Sequence, residues 1–238
     1  MIEQQAAVRL RRVGEAGLAS AILFGLVIVL NLAFAWSLWN AYGLVQDFLA
    51  DDPGVGMADL LDADRLTRTL GWAVLAVQLA AAVVFLVWLW RARRNSEVLT
   101  DAPHRRGRGW AIGSWITPVV FFWFPFQVVD DVYRASRPDN PKDLYDLQTV
   151  PGSTLLRWWW GMYLAGWVLD RLAAASLTGY HVEDLQAAAV AQSAQVVALT
   201  GAGIALVIVM RQITRWQQTP RVAPDAPPEF GTEAASSP

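Results

Sequence analysis

Asp170 and Arg171 are the residues whose position most suggests chemistry, because two adjacent charges lie within the otherwise apolar segment 158–180. A charge at the centre of a membrane helix costs on the order of 2.5–3.5 kcal/mol, so it needs a partner or water. Adjacent residues point about 100° apart on a helix, which argues against a simple pair between these two. We therefore expect an intramembrane polar cluster that also contains Asn31 and Gln78, each near the middle of another apolar segment.

Two interpretations of this polar cluster are open. In the first, the cluster is structural: it fixes the register of the helices, or the segment is shifted so that the pair lies near the outer surface of the membrane. In the second, Asp170 carries a proton or an ion, or provides the counter-charge for a substrate. We favour the structural interpretation and expect Asp170 to face the interior of the helix bundle.

A run of arginines between the second and third apolar segments is the other notable group of charges. Cations close to an anionic membrane surface each contribute about 1 kcal/mol to lipid binding. These arginines are therefore the best candidates for contacts with anionic lipid head groups, although their simpler role is to fix the topology of the chain. They are Arg91, Arg93, Arg94, Arg105, Arg106 and Arg108. The net charge is −2 and no aromatic platform accompanies these arginines, so we expect no nucleic-acid partner.

The sequence lacks the residue sets that carry catalysis or hold cofactors. It contains no cysteine, which excludes disulfides and thiolate metal sites. The two histidines, His104 and His181, are predicted on opposite sides of the membrane and so cannot share a metal ion. There is also no phosphate-binding loop, no catalytic serine motif and no zinc motif. We expect neither an enzyme nor a bound cofactor.

The composition indicates the elements that must position these residues. The chain has 238 residues, of which 55% are hydrophobic and 17% are charged, whereas soluble domains are closer to about 25% charged. Four segments have the length and apolar character of membrane helices, since about 20 helical residues cross a hydrocarbon layer of about 30 Å. They are residues 17–40, 69–90, 158–180 and 187–210, and the charged pair makes the third conditional.

A further apolar stretch, residues 109–125, is interrupted by Pro118 and Pro125. Proline removes a backbone donor and disturbs the preceding helical turn, and broken backbone is tolerated at membrane depth only where protein or water satisfies it. We expect a re-entrant or interfacial segment that enters and leaves on the cytoplasmic side, with a fifth crossing as the alternative.

Residues 126–137 have an apolar and a charged face, which predicts an amphipathic helix on the cytoplasmic side. Asp130 lies four residues before Arg134 on the charged face, a spacing that predicts a supporting ion pair between them.

The predicted fold class is therefore an all-α integral membrane protein with four transmembrane helices, a proline-broken segment and an amphipathic cytoplasmic-side helix. Residues 1–15 are predicted to form a cytoplasmic segment, residues 16–216 the membrane domain, and residues 217–238 a proline-rich, disordered cytoplasmic tail.

The distribution of charge predicts the orientation. Most of the 19 Lys and Arg residues fall in the N-terminal segment, in the 91–108 loop, after the broken segment and in the tail, whereas the loops 40–68 and 181–186 are acidic. Basic loops remain on the cytoplasmic side of a membrane. We therefore expect a multi-pass protein of the cell membrane with both termini in the cytoplasm.

The central block RRGRGWAIGSWITPVVFFWFPFQVVDDVYRAS, followed further along by LLRWWWGMYLAGWV, carries a family resemblance. With this block the chain resembles the bacterial membrane domain-of-unknown-function family 4328 over residues 15–215, most specifically over 109–136. The resemblance implies a small polytopic membrane fold, and it implies no reaction, because the family carries no established activity. Phe121 or Phe122 stands where an Asn is expected in the family, so the sequence provides no polar group there to line a site.

These observations predict a non-enzymatic accessory or interaction protein of the membrane, in contact with membrane lipids and with a protein partner that the sequence does not identify. The alternative is a small transporter or ion-conducting protein built around the broken segment and Asp170. The sequence does not fix the oligomeric state. A transporter requires a polar, water-reachable cavity that touches Asp170, whereas an accessory protein predicts a dry and fully packed bundle.

Overall fold

The computed structural model describes residues 10–179 and 181–219, and every regular element within these residues is helical. This confirms the predicted all-α class. Most of the predicted N-terminal segment and nearly all of the predicted disordered tail lie outside the described residues. The α-helices are α1 (Gly14–Leu49), α2 (Met57–Leu99), α3 (Trp110–Ile116), α4 (Phe124–Ser136), α5 (Thr154–Ser176) and α6 (Val182–Gln218).

Three of the helices, α1, α2 and α6, are long and apolar enough to cross a membrane. They contain the predicted spans 17–40, 69–90 and 187–210. The predicted span 158–180 corresponds to α5, whose tryptophans and charged residues lower its mean hydropathy. The length and composition of the helices therefore support three of the predicted spans directly.

The long helices extend well beyond the apolar spans. α1 has 36 residues and α2 has 43, which correspond to about 54 and 65 Å at 1.5 Å per residue. The predicted loop 40–68 is therefore reduced to the turn 50–56, which contains Pro53 and Gly54. An apolar span ends where charges begin, but the helix continues, because charged residues such as Asp64 and Arg68 pair along it.

The four long helices form a row in the order α2, α1, α6, α5, with neighbours antiparallel. Small residues allow close approach within the row: a Cβ atom added to Gly17 would lie 3.3 Å from Trp88, and one added to Gly166 would lie 3.7 Å from Ala198. α2 and α5, at the two ends of the row, do not pack along their lengths. The segment 110–136 bridges them instead.

The predicted break in segment 109–125 is confirmed. α3 ends at Ile116, before Pro118. The Val120 N–H donates to the Pro118 carbonyl at 2.8 Å and Val119 has a φ of 68°, so the chain reverses in a tight γ-turn. A β-branched residue in this conformation costs on the order of 1–3 kcal/mol. Pro125 does not break a helix as expected; it lies in the first turn of α4, where its missing N–H is not needed.

α4 occupies the range predicted for the amphipathic helix, but its charged face is not open to water. Asp130 and Asp131 are only 3% and 1% exposed, and Val129 and Val132 on the apolar face are fully buried. The chain between α2 and α3 folds back over the charged face, because Arg105 from this connection neutralises both carboxylates. The expectation of an amphipathic helix whose charged face is exposed to water is therefore wrong, because α4 is covered by protein on both faces.

A buried amide network joins four parts of the chain at the end of the bundle where α1 begins and α6 ends, here called the terminal end. Asn95 of α2 exchanges hydrogen bonds with the backbone of Arg11, and its Nδ2 also donates to Gln217 Oε1 at 3.0 Å. Gln217 Nε2 donates to the Ala92 carbonyl at 3.0 Å and to Ser136 Oγ at 2.8 Å. Gln217 is the first residue of the predicted disordered tail, but α6 continues through it because these bonds hold its last turn inside the protein.

Replacing Gln217 by Leu tests how much this network stabilises the fold. Gln217→Leu removes one hydrogen bond each from Asn95, the Ala92 carbonyl and Ser136, and a typical hydrogen bond contributes about 0.5–1.5 kcal/mol. We expect a clear decrease in the free energy of unfolding, measured by denaturant titration in detergent. The matched control is Gln218→Leu, because Gln218 is exposed. Equal stability of the two variants would contradict the role of the network.

Candidate binding site

A cavity of about 410 Å³ lies between α2 and α5, where the two ends of the helix row face each other. We call it the α2–α5 cavity. α1 and α6 form its back wall, and Trp115 of α3 lies at the side nearer the terminal end. Leu79 of α2 and Trp167 of α5 line it and are both exposed at the surface, so the cavity opens between these helices. Its volume is within the range of small-molecule sites, about 300–1,000 Å³.

Asp170, Arg171 and Gln78 line one part of the α2–α5 cavity. Arg171 Nε donates to Asp170 Oδ2 at 3.2 Å, and Nη2 of the same guanidinium donates to that oxygen as well. The expectation that the two adjacent residues do not pair is therefore wrong, because the long arginine side chain bends around the helix to reach Asp170. Three of the four residues of the predicted polar cluster thus come together around one cavity. The expectation that an accessory protein forms a dry and fully packed bundle is wrong for this bundle, because the cavity touches Asp170.

Asp170 is not at the centre of its helix. α5 covers Thr154–Ser176 rather than 158–180, so Asp170 lies only about 9 Å from the last residue of the helix, on the side away from the terminal end. The side chains of Asp170 and Arg171 are 38% and 62% exposed. This placement favours a segment shifted along its axis over a carboxylate packed in the interior of the bundle.

Asn31, the fourth residue of the predicted cluster, has a different partner. Its Oδ1 accepts a hydrogen bond from Gln192 Nε2 at 3.2 Å, and its Nδ2 donates to the Val27 carbonyl at 2.8 Å. Gln192 also donates to Gln195 Oε1 at 3.1 Å, and Gln195 lines the α2–α5 cavity. The sequence analysis missed both glutamines. Their spacing of three residues within an apolar helix was the signal, because it places both on one face of α6.

The part of the cavity nearer the terminal end is aromatic. The Trp115 ring packs edge-on against Phe85 of α2 at 5.4 Å and against Tyr163 of α5 at 6.1 Å. Trp160 of α5 donates through Nε1 to the Phe122 carbonyl at 2.8 Å, which fixes the broken segment to α5. These contacts place the broken segment between α2 and α5 and close the cavity on that side. We call this part of the segment, which includes Trp115 and Phe122, the aromatic wedge.

The arginine cluster is largely engaged within the protein. Arg93 is buried and pairs with Glu97 at 2.6 Å, and Arg108 pairs with the same carboxylate. Arg91 donates to a backbone carbonyl before α1, and Arg94 is only partly exposed. The expectation that Arg93 contacts anionic lipid is wrong, because its guanidinium is enclosed by the fold.

The remaining arginines of the cluster cover α4. Arg105 bonds to Asp130 at 2.7 Å and to Asp131 at 2.8 Å, and its backbone N–H also donates to Asp131 at 2.8 Å. The Arg106 guanidinium lies 3.8 Å from the centre of the Phe124 ring, a distance typical of a cation–π contact. These side chains are therefore used to seal the terminal end, and lipid contact is not their main role.

Arg134 joins Arg105, Asp130 and Asp131 in what we call the charge cluster on α4. It bonds to Asp130 at 2.9 Å, which confirms the predicted i,i+4 pair, and it donates to the Val150 carbonyl at 2.6 Å. Gly152 lies so close that an added Cβ atom would be 2.7 Å from Arg134 Nη2. The connection between α4 and α5 is thereby fixed against the charge cluster.

Burial shifts the pKa values of three groups at the terminal end. Burial lowers the pKa of Arg93, although Glu97 acts in the opposite direction. Burial raises the pKa of Asp131, and Arg105 opposes that shift. Burial and the nearby Arg93 lower the pKa of His104 to about 3. His104 is therefore neutral in the folded protein at physiological pH.

The family described as "Domain of unknown function (DUF4328)" matches residues 51–218. The chain belongs to this family. The matched region contains α2 to α6, and α1, which the resemblance extended to include, precedes it. No curated protein and no solved structure matches the chain. The DUF4328 region thus carries both sides of the α2–α5 cavity mouth and the whole charge cluster on α4.

The lowered pKa of His104 predicts how stability depends on pH. The pKa of His104 is about 6.5 in the unfolded chain and about 3 in the folded protein. As pH falls below about 6.5, the unfolded chain therefore binds a proton at His104, whereas the folded protein binds it only near pH 3. Stability is therefore lost with acidification, by up to about 1.4 kcal/mol per pH unit from this residue. We expect the thermal midpoint in detergent to fall less between pH 7 and pH 5 for His104→Gln than for the wild type.

His181→Gln is the matched control for His104→Gln, because His181 is exposed. Ser96 donates its hydroxyl proton to the Arg93 carbonyl at 2.8 Å, so His104 Nε2 must donate to Ser96 Oγ at 2.9 Å. The glutamine amide can replace this donor. An identical pH response of the wild type and His104→Gln would refute the argument.

Proposed function

We propose that this DUF4328 protein is a non-enzymatic accessory protein of the cell membrane, with four membrane spans, that binds an amphiphilic molecule in the α2–α5 cavity. The observation that carries the proposal is the cavity itself. It joins a charged and amide-lined part to an aromatic part, and it opens between two helices that face the bilayer. Apolar pockets with a few convergent polar groups are typical of small-molecule sites.

The start of α1 and the end of α6 support four crossings. α1 begins and α6 ends at the same end of the bundle, since a Cβ atom on Gly14 would lie 2.7 Å from Gln218 Nε2. A chain that begins and ends on one side of a membrane crosses it an even number of times, and three helices are long and apolar enough by themselves. α5, whose 23 residues extend about 34 Å, supplies the fourth crossing.

The contacts of the broken segment support a re-entrant path. Its two ends meet, because the rings of Trp110 and Phe124 lie 4.8 Å apart. Between these ends the segment reaches Trp167, since Phe122 packs against that ring at 5.8 Å. Trp167 lies about 20 Å along α5 from its first residue, near mid-depth of a hydrocarbon layer about 30 Å thick. Ile116 and Val119 are exposed on this segment and would face lipid.

The charges favour an orientation with the terminal end in the cytoplasm. The described arginines of the 91–108 connection and of α4 lie at that end, whereas the opposite turns contain acidic residues such as Asp51 and Glu183. Basic loops are retained in the cytoplasm. In this orientation the Asp170–Arg171 pair lies toward the outer leaflet, and membrane lipids surround the cavity mouth.

Transport is the second candidate function, because Asp170 and Arg171 line the cavity. The cavity does not have the largely polar lining that a hydrated ion needs. Toward the terminal end the cavity ends at the aromatic wedge, and beyond the wedge lie the buried core residues Trp88 and Val129 and the charge cluster on α4. An ion or substrate could cross the protein only if all of these groups separated. Binding without passage is therefore the function that the geometry supports best.

Single-cysteine labelling tests the proposed topology, since the natural chain has no cysteine. Ala58→Cys and His181→Cys place exposed thiols on the side proposed to face outward, and Gly107→Cys and Tyr145→Cys place them on the side proposed to face the cytoplasm. We expect an impermeant maleimide to label the first two on intact cells and the second two only after permeabilisation. Labelling of Tyr145→Cys on intact cells would overturn the proposed orientation.

Filling the mouth of the cavity tests the proposed binding. Ala82 lines the cavity, whereas Ala80 is exposed on another face of α2 and does not. We expect Ala82→Trp to weaken binding of palmitoyl-lysophosphatidylcholine by about tenfold or more, measured by native mass spectrometry, and Ala80→Trp to have little effect. Release of the probe unchanged in mass agrees with a non-enzymatic role. Equal binding by both variants would refute the cavity as the site, and chemical conversion of the probe would refute the non-enzymatic role.

A further inference from the structure

We propose that the α2–α5 cavity selects a zwitterionic amphiphile: its anionic group binds Arg171, its cationic group lies against Asp170, and its apolar tail extends toward the aromatic wedge. This inference rests on the proposed function and specifies the class of ligand. It is carried by the opposite charges at the cavity mouth, by a buried amide beside them and by the direction of the apolar lining.

The charged pair keeps hydrogen-bonding capacity for a ligand. Arg171 directs both of its described side-chain hydrogen bonds to Asp170 Oδ2, and a guanidinium has five N–H donors. The second carboxylate oxygen, Oδ1, makes no hydrogen bond to any described residue. An arginine can hold a phosphate or carboxylate through two parallel hydrogen bonds. A ligand at the cavity mouth can therefore accept hydrogen bonds from Arg171 and donate to Asp170 Oδ1 at the same place.

Gln195 adds a buried polar group that lacks a partner. It lines the cavity and is only 4% exposed. Its Oε1 accepts a hydrogen bond from Gln192 at 3.1 Å, whereas its Nε2 donates to no residue in the described part of the chain. This N–H donor is therefore available to a ligand that enters the cavity. A phosphate or ester oxygen of a bound head group would satisfy it.

Charge balance favours a zwitterion over a head group of one sign. Among the described lining residues, Asp170 and Arg171 are the only ones charged at neutral pH, and Tyr163 is the only other titratable residue. The site is therefore neutral before a ligand enters. An anionic or cationic ligand would leave one uncompensated charge at the cavity mouth. A zwitterion leaves none and still contacts both charges.

The shape of the cavity favours one apolar tail. Along α5 the lining runs from Asp170 to Trp159, which is about 16 Å of helix. Beyond Asp170 and Arg171 this path is lined by aromatic and aliphatic side chains, and Trp115 closes it. A single acyl chain fits a path of this length and cross-section, and its head group would remain beside the charged pair.

The experiment compares probes that share one tail and differ in the head group. They are palmitoyl-lysophosphatidylcholine (zwitterionic), palmitoyl-lysophosphatidylglycerol (anionic), hexadecyltrimethylammonium (cationic) and monopalmitoylglycerol (neutral). Binding to the full-length protein is measured by native mass spectrometry from a non-ionic detergent. We expect the wild type to bind the zwitterionic probe about tenfold more tightly than any other probe, equivalent to about 1.4 kcal/mol.

Two substitutions should change this preference in opposite directions. Asp170→Asn leaves Arg171 alone, so the anionic probe should become the preferred one. Arg171→Gln leaves Asp170 alone, so the cationic probe should become preferred. The matched controls are Glu183→Gln and Arg157→Gln, which make the same changes in net charge at exposed positions away from the cavity. Both controls should retain the wild-type order of affinities.

The outcomes separate this inference from the proposed function. If all probes bind equally, or if the order of affinities is the same in Asp170→Asn and Arg171→Gln as in the wild type, while Ala82→Trp still weakens binding, the zwitterion inference is wrong and the cavity remains a binding site. If no probe binds the wild type more tightly than it binds Ala82→Trp, the proposed function itself is wrong. Thermal midpoints of all variants identify any that fail to fold, and the opposite substitution then provides the test.

Discussion

The requirement that two buried carboxylates be neutralised governs the terminal end of the molecule. Asp130 and Asp131 are almost completely buried on α4, and they are compensated by Arg105 from one side and Arg134 from the other. Removing one partner of a buried ion pair typically costs about 3–5 kcal/mol, because a charge is left uncompensated. This constraint folds the arginine-rich connection over α4 and also holds the chain between α4 and α5, where Gly152 approaches Arg134 closely.

The position of α4 in turn determines where the broken segment lies. Only residues 117–123, which contain the γ-turn at Val119, separate α3 from α4, so fixing α4 directs this segment between α2 and α5. Trp115 and Phe122 then contact the aromatic residues of α5 and keep the two helices apart. The α2–α5 cavity is the space left on the side of this wedge that faces away from the terminal end. The charge cluster on α4 thus determines, through the broken segment, where the cavity lies in the bundle.

The amide network at the terminal end and the polar groups of the α2–α5 cavity differ in how many of their hydrogen-bonding groups have a protein partner. This difference points to the cavity as the functional region. In the amide network at the terminal end, Asn95 and Gln217 use both their donors and their acceptors within the protein. Around the cavity, Gln195 and the Asp170–Arg171 pair retain unused hydrogen-bonding groups. Fully satisfied networks hold one conformation, whereas hydrogen-bonding groups without a protein partner are available to a ligand.

The sequence by itself determined the helices, the break at Pro118 and the uneven distribution of charge, because apolar length, proline chemistry and net charge are local properties of the chain. It also predicted the pair between Asp130 and Arg134, whose spacing is one helical turn. Only the tertiary structure decided which remote groups meet: Arg105 with Asp131, Asn95 with Gln217 and Asn31 with Gln192. Helix ends within polar sequence and the existence of the cavity also depended on it. Partner choice depends on distances between elements far apart in sequence, and a cavity is a space between helices, which no pattern along one helix records.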